Sequence, residues 1–418
     1  MSENPREEIV KWRLGDSNFS LFFLLKILNR HCSDWTFGED VRTLTKIPEV
    51  SWISEGKGFS SKIYSVKLFL EDNKEYEFCV KIPSAFHLEA SIIAATENMT
   101  EEQLEEERQK ARKMIAQAHS REVNFYKFSS KISPGFLKIP KFIYGRDWTK
   151  DQEGILMMED FSKICKKEFV PRNPFTKSQV LSLIEEIAKI QIASITKENL
   201  VEDFPILENT VISMSKYAHL SSEILLSRNL DFFTEEIAEK ILDLSRPSTL
   251  AYLLSYTTEE LAPVLVHSAI WPGNVLWASE SKVTSSQSSE VTLPPESEAP
   301  LVSIVDWQGC FVGSPTADLA ALLAISVTGQ ERRLQEDEYI QHFVTVFNNL
   351  RNQSSEKGKI PILDFEIVKE NYGKSLLYSA IELIIIIVTN PLDDIPEDPQ
   401  TMGTMTQRLK FLIEDIFN

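Results

Sequence analysis

Two polar stretches, each following a short apolar run, carry residue types suited to phosphate and metal chemistry. They are His267-Ser268-Ala269-Ile270-Trp271-Pro272-Gly273-Asn274 and Ile304-Val305-Asp306-Trp307-Gln308. The apolar runs, VLVH at 264–267 and LVSIVDW at 301–307, read as strands that deliver polar groups at their ends beside a cleft. The Asn274 carboxamide and the Asp306 carboxylate are hard oxygen donors, which Mg²⁺ takes when it also holds substrate phosphates. His267 is buried by its context, so a structural hydrogen bond competes there with metal binding and acid–base work. Asp318, in Pro315-Thr-Ala-Asp-Leu-Ala320, opens a helix, where capping is the plain reading.

The first half of the chain offers two further groups. Glu55-Gly-Lys-Gly-Phe-Ser-Ser61 sets Gly56 and Gly58 between two strands, where bare backbone N–H groups can approach a polyphosphate. An ordinary hairpin turn has the same composition. Lys81 stands in the apolar strand Phe78-Cys-Val-Lys-Ile82, and an ammonium there can meet phosphate oxygens if a carboxylate holds it. Glu122, late in a long helix, is the candidate carboxylate; two unrelated surface charges are the alternative reading.

These residues need elements to position them. Residues 1–40 read as a helical, amphipathic extension. From Arg42 to Pro83 the apolar period falls to two, with Ile63, Val66, Leu68 and Leu70, then Tyr76, Phe78, Val80 and Ile82, flanking a polar turn. This is a β-hairpin preceded by a further strand. Thr100 and Gln103 form a capping box for a long helix, which reaches Phe128. Ile139 to Tyr144 and Gly154 to Met158 read as two more strands. Helices are expected over Lys177–Ile195, Val211–Leu226, Thr234–Leu244 and Thr257–Leu261, and again through the tail. Residues 279–300, rich in Ser, Glu and Pro, read as a flexible surface insertion. The plan is α+β and bilobal: a strand-rich lobe over 41–160 and a helical lobe over 161–418.

Composition narrows the function. The 418 residues are 43% hydrophobic and 25% charged, as in ordinary globular proteins. A net charge of −18 disfavours nucleic acid and anionic membrane as partners. Cys32, Cys79, Cys165 and Cys310 are far apart in sequence, so neither a disulfide framework nor a zinc site is expected. The charged start, MSENPREEIVKWRLGD, is unlike a secretory signal. The apolar run around Leu383–Val388, interrupted by Glu382, falls short of the roughly 20 residues of a membrane span. A cytoplasmic protein is expected.

The order of glycine loop, strand lysine, helix glutamate, His-x-x-x-Trp-x-x-Asn and Ile-x-Asp-Trp-Gln resembles the CHK kinase-like family. These are choline-kinase-like and ecdysteroid-kinase-like proteins related to aminoglycoside phosphotransferases. The likeness runs from about Val41 to the C-terminal helices, and VLVHSAIWPGNVLW with SIVDWQGCFVGSPTADLAAL is its most specific part. The resemblance implies a protein-kinase-like fold, with ATP and Mg²⁺ as cofactors. It gives Lys81 the nucleotide phosphates and Glu122 the task of orienting Lys81. Asn274 and Asp306 become the metal ligands, and Asp318 the brace of the loop around His267. The strand Leu156-Met-Met-Glu-Asp160 becomes a connector whose backbone, at Met158 and Glu159, meets the adenine. One departure dominates. The family loop reads His-Gly-Asp-Leu-Trp, whereas here it reads His267-Ser268-Ala269-Ile270-Trp271. The family's aspartate orients the attacking hydroxyl and takes its proton, and Ala269 can do neither. The expectation is a pseudokinase that retains nucleotide. The alternatives are a kinase with another base and a scaffold without nucleotide. Its partner is a small-molecule hydroxyl if it is active and a protein if it is not.

Overall fold

A computed structural model of the chain describes residues 5–54, 60–89, 100–166, 173–279, 299–389 and 403–417. Gly56 and Gly58, and nearly all of the 279–300 insertion, lie outside the described residues. The chain forms two compact units, Met1–Ser133 with Pro140–Ile164, and Pro134–Ile139 with Cys165–Asn418.

The first unit is built on a five-stranded sheet: β1 (Glu49–Trp52), β2 (Ser61–Phe69), β3 (Glu75–Pro83), β4 (Phe142–Arg146) and β5 (Ile155–Met158). Its order is β1-β2-β3-β5-β4, and every neighbouring pair is antiparallel. The helices expected in the first forty residues fall within this unit. After α1 (Pro5–Lys11), Ser20 caps α2 (Leu21–His31) by accepting a hydrogen bond from the Phe23 N–H at 3.2 Å. Leu21, Leu24, Leu25 and Leu28 recur at helical spacing and share one core with Val66, Leu68, Phe78 and Val80 of the sheet. With Phe78, Val80 and Ile82 turned into that core, the period of two sends Cys79 and Lys81 to the opposite face. There they meet α3 (Glu101–Ser129), whose start is fixed by the reciprocal Thr100–Gln103 capping box.

The second unit is mainly helical, with α4 (Lys177–Ile195), α5 (Leu200–Asp203), α6 (Glu208–Ser227), α7 (Glu235–Leu244) and α8 (Pro247–Ser255) before its motif region. A helix over Thr257–Leu261 does not form. Five residues ahead of Pro263 are too few to nucleate a stable helix. Pro247, at the first position of α8, starts one earlier instead. Short strands follow: β7 (Val264–Val266) pairs with β10 (Phe311–Gly313), and β6 (Cys165–Lys166), β8 (Val275–Ala278) and β9 (Leu301–Ile304) form a three-stranded sheet. The rest is α9 (Ala317–Ser326), α10 (Gly329–Gln353), α11 (Phe365–Thr389) and α12 (Thr404–Phe417). The apolar run at Leu383–Val388 is the end of a longer helix than its sequence suggested. At 25 residues α11 is long and apolar enough to cross a membrane, and 56% of its most apolar window is buried within the unit.

Candidate functional site

In the first unit, Lys81 and Glu122 come together. The β3 register places Lys81 beside Leu156 of β5, and its Nζ lies 2.7 Å from Glu122 Oε2. Both residues are almost fully buried, at 4% and 1% exposure, so neither charge is screened by water. His119, one turn earlier on α3, donates through Nε2 to the Arg146 carbonyl at 2.9 Å. Burial first, and then the Lys81 charge, lower its pKa to about 4, so the ring beside the ammonium is neutral at physiological pH. Neither the ring nor its partner was singled out in the sequence, because one lone histidine on a helix face carries no signal.

The 156–160 segment, expected to meet the adenine, is held by strand pairing. Met158 sits opposite both Cys79 and Phe142. The Glu159 N–H already donates to the Lys141 carbonyl at 3.0 Å, and the Glu159 carboxylate accepts from the Lys141 N–H at 3.1 Å. Asp160 accepts from the Ser65 hydroxyl and from the Ser162 N–H.

In the second unit the loop after β7 is held from every side. Both Asp318 oxygens accept from its backbone, from the His267 N–H at 2.8 Å and the Ser268 N–H at 2.9 Å. Burial raises the Asp318 pKa to about 6 while these two N–H groups pull it down. His267 Nδ1 accepts from the Ala269 N–H at 3.1 Å, which forces the proton onto Nε2, and Nε2 donates to the Val305 carbonyl at 3.1 Å. With both ring nitrogens engaged and Trp307 packed edge-on at 4.3 Å, His267 is a strut between the two motifs. Ser268 is in the left-handed region at φ 68°, and its hydroxyl donates to the Gly309 carbonyl at 3.0 Å.

The same loop carries Asn274 to Asp306. The Asn274 side-chain N–H₂ donates to the Ala269 carbonyl at 3.1 Å, and the Val305 N–H donates to the Asn274 carbonyl at 2.9 Å. The β8–β9 register, Val275 opposite Ile304, therefore continues one step to set Asn274 across from Val305 and next to Asp306. Asp306 has a left-handed backbone, φ 70°, which turns the chain out of β9. Pinning the Asn274 nitrogen leaves its oxygen as the donor toward a cation, so this pair offers one amide oxygen and one carboxylate. Among the described residues no group of three or more His, Cys, Asp or Glu could hold a metal. That donor set fits Mg²⁺ as it is held with substrate phosphates and water, not in an all-protein cage.

Position 269 completes this geometry. The Ala269 N–H and carbonyl are both bonded, the carbonyl also accepting from the Trp271 N–H at 3.1 Å. The loop therefore presents this position on a fixed backbone, but with a methyl group.

A family model, DUF1679, described as "Uncharacterized oxidoreductase dhs-27", matches residues 39–418. The chain is 24% identical over 237 residues to "Uncharacterized kinase-like protein D1044.1" of Caenorhabditis elegans, covering 55% of this chain and 57% of that relative. The match thus spans little more than half of the relative's length. Solved structures similar to the chain include the GDP complex of wild-type aminoglycoside 2'-phosphotransferase-IIIa, at 12% identity and a TM-score of 0.43 over 95% of this chain and 98% of that one. The macrolide 2'-phosphotransferase MphH from Brachybacterium faecium has 10% identity and a TM-score of 0.39 over 89% and 93%.

Proposed function

The chain belongs to the DUF1679 family, and from that premise we propose that it binds ATP with Mg²⁺ as a kinase-like protein whose transfer chemistry is weakened at Ala269. Lys81, oriented by Glu122, meets the nucleotide phosphates. Asn274 and Asp306 hold the cation, which supplies charge neutralisation at the phosphates when bound. One observation carries the reading: Asp318, His267 and Asn274 fix the loop backbone at position 269, where only a methyl group is presented. A positioned general base contributes roughly 10²–10⁴ in rate, or about 3–5 kcal/mol, and its loss leaves positioning and charge neutralisation in place. Nucleotide binding therefore outlasts efficient turnover.

The family description carries the word oxidoreductase. The elements here argue for a different use of the chain. A dinucleotide fold reads its cofactor from a parallel sheet with a glycine-rich strand-to-helix turn. The sheet of the first unit is antiparallel throughout, and the lysine on its β3 is paired to a helix glutamate.

Thermal denaturation tests the reading. ATP with Mg²⁺ should raise the melting temperature of the native chain, by the equivalent of about 2.7 kcal/mol at a hundred times Kd. Lys81→Met and Asp306→Asn, which lie in different units, should each abolish most of that shift, whatever they do to the unliganded melting point. A native chain indifferent to millimolar nucleotide would refute the proposal.

A further inference from the structure

Strand β4 ends in Arg146, and the pleat decides which way that side chain goes. Gly145 faces α3, where a Cβ would stand 2.7 Å from Val123 Cγ1, so the next residue turns to the opposite face, toward α2. There the Arg146 guanidinium lies over two phenyl rings, 5.3 Å from the Phe19 centroid and 5.2 Å from that of Phe23. The rings are 5.2 Å apart, because Phe19 precedes the Ser20 cap and Phe23 sits in the first turn behind it. Nε and Nη2 of Arg146 both donate to the Glu153 carbonyl, at 3.1 and 3.0 Å. Packed on a face and bonded along an edge, the guanidinium has a fixed orientation.

Its charge is unanswered. The chain has 62 acidic residues against 44 basic ones, yet among the described residues no carboxylate comes within ion-pairing distance of Arg146. The Glu153 carboxylate is engaged elsewhere and accepts from the Asn18 N–H at 3.0 Å. Nη1 and the second Nη2 hydrogen make no hydrogen bond to the described residues. They form the end-on edge of the fork, the geometry that receives a carboxylate or phosphate through two parallel bonds.

Arg146 lines a cavity of about 630 Å³, room enough for a small organic molecule. Phe23 and Trp148 give it apolar walls. Trp148 owes its seat to Gly154, where a Cβ would stand 2.8 Å from Trp148 Cβ and 2.7 Å from Pro83 Cγ. Lys150, exposed on the rim, also has no ion pair among the described residues. Asp151, the other carboxylate of the lining, is exposed, so water screens it. The cavity lies on the α2 side of the sheet, whereas Lys81 turns to the α3 side.

We propose that this cavity binds a flat organic anion, with its carboxylate or phosphate on the Arg146 fork and its ring against Trp148 and Phe23. Lys150 adds attraction from the rim. An uncharged molecule leaves the fork unanswered, and a cation is repelled by it.

Isothermal titration calorimetry with 2-naphthoate and 2-naphthyl phosphate tests the proposal, with 2-naphthalenemethanol as the uncharged counterpart. The native chain should bind at least one of the anions saturably, and the alcohol roughly tenfold more weakly or worse. Arg146→Met keeps the stem over the phenyl rings and should weaken the anion by roughly tenfold or more. Should that variant not melt cooperatively, Arg146→Lys keeps the charge, loses the fork and should also weaken binding. Lys150→Gln, on an exposed turn that the fold does not depend on, should weaken it by about two- to fivefold. Lys81→Met should leave the affinity within about twofold, since the two sites share no residue. Loss of binding in Lys81→Met would put the anion on the nucleotide lysine and overturn the proposal. So would the absence of saturable binding at millimolar anion, equal affinity for the alcohol, or an affinity that ignores both the Arg146 and Lys150 changes. None of these results bears on whether ATP binds.

Discussion

At the scale of single residues, the loop around position 269 shows how a fixed backbone survives a changed side chain. A left-handed backbone strains serine by about 1 kcal/mol relative to glycine. The Ser268 hydroxyl recovers a similar amount through its bond to the Gly309 carbonyl. Ser268→Gly should therefore change stability by less than about 0.5 kcal/mol. Gly309→Ala should behave otherwise, because a Cβ there would stand 2.6 Å from Ser268 Oγ and displace that hydroxyl. Its expected effect is a loss of about 1 kcal/mol in chemical denaturation, absent in a Ser268→Gly background. A loss of equal size in both backgrounds would show that the two residues are not coupled. From sequence, the exchange of Gly for Ser and of Asp for Ala at 268 and 269 was legible, and the consequence at 269 follows from alanine's chemistry alone. The answering Gly309 was not legible. It lies 41 residues downstream, and only the three-dimensional course of the chain brings its carbonyl to Ser268.

At the scale of elements, local signals were readable where they are physical and local. The Thr100–Gln103 box starts α3, Lys177 and Ile195 bound α4, and alternation gives the β2–β3 hairpin. The helix expected over 257–261 does not form, and α8 just before it was not read because no side chain caps it and its start depends on Pro247. Helix α11 was underestimated because Glu382 broke a run that tertiary packing joins. That glutamate also makes a pH signature. Its native pKa of about 8 lies above the ordinary 4.5, so the folded state holds a proton that the unfolded chain has released. Stability should fall as pH rises through that window, by roughly 1.4 kcal/mol per unit where the difference is one full proton. Asp318, raised to about 6, acts in the same direction only up to that pH, and His119, lowered to about 4, acts in the opposite direction only below about 6.5. Between pH 6.5 and 8 the slope from these three groups belongs to Glu382. Urea unfolding should show it in the native chain and a flatter profile in Glu382→Gln, and identical slopes would contradict the assignment.

At the scale of the whole molecule, the division into two units separates the residues that the proposed function needs. Lys81 and Glu122 belong to one, and Asn274, Asp306 and the loop around Ala269 to the other. The order of these residues along the chain was visible in the sequence, as was the pairing of a strand lysine with a helix glutamate. Their roles were not, since burial, tautomer and bracing depend on contacts between segments far apart in sequence. The reading of the whole protein comes down to one contrast: binding retained, proton acceptance diminished. The most direct measurement is Mg²⁺-dependent ATP turnover by the native chain and by Ala269→Asp, with ATP affinity determined on the same samples. The expected result is unchanged affinity with a gain of roughly 10²–10⁴ in turnover. Unchanged affinity with no gain, or no affinity in either protein, would contradict it.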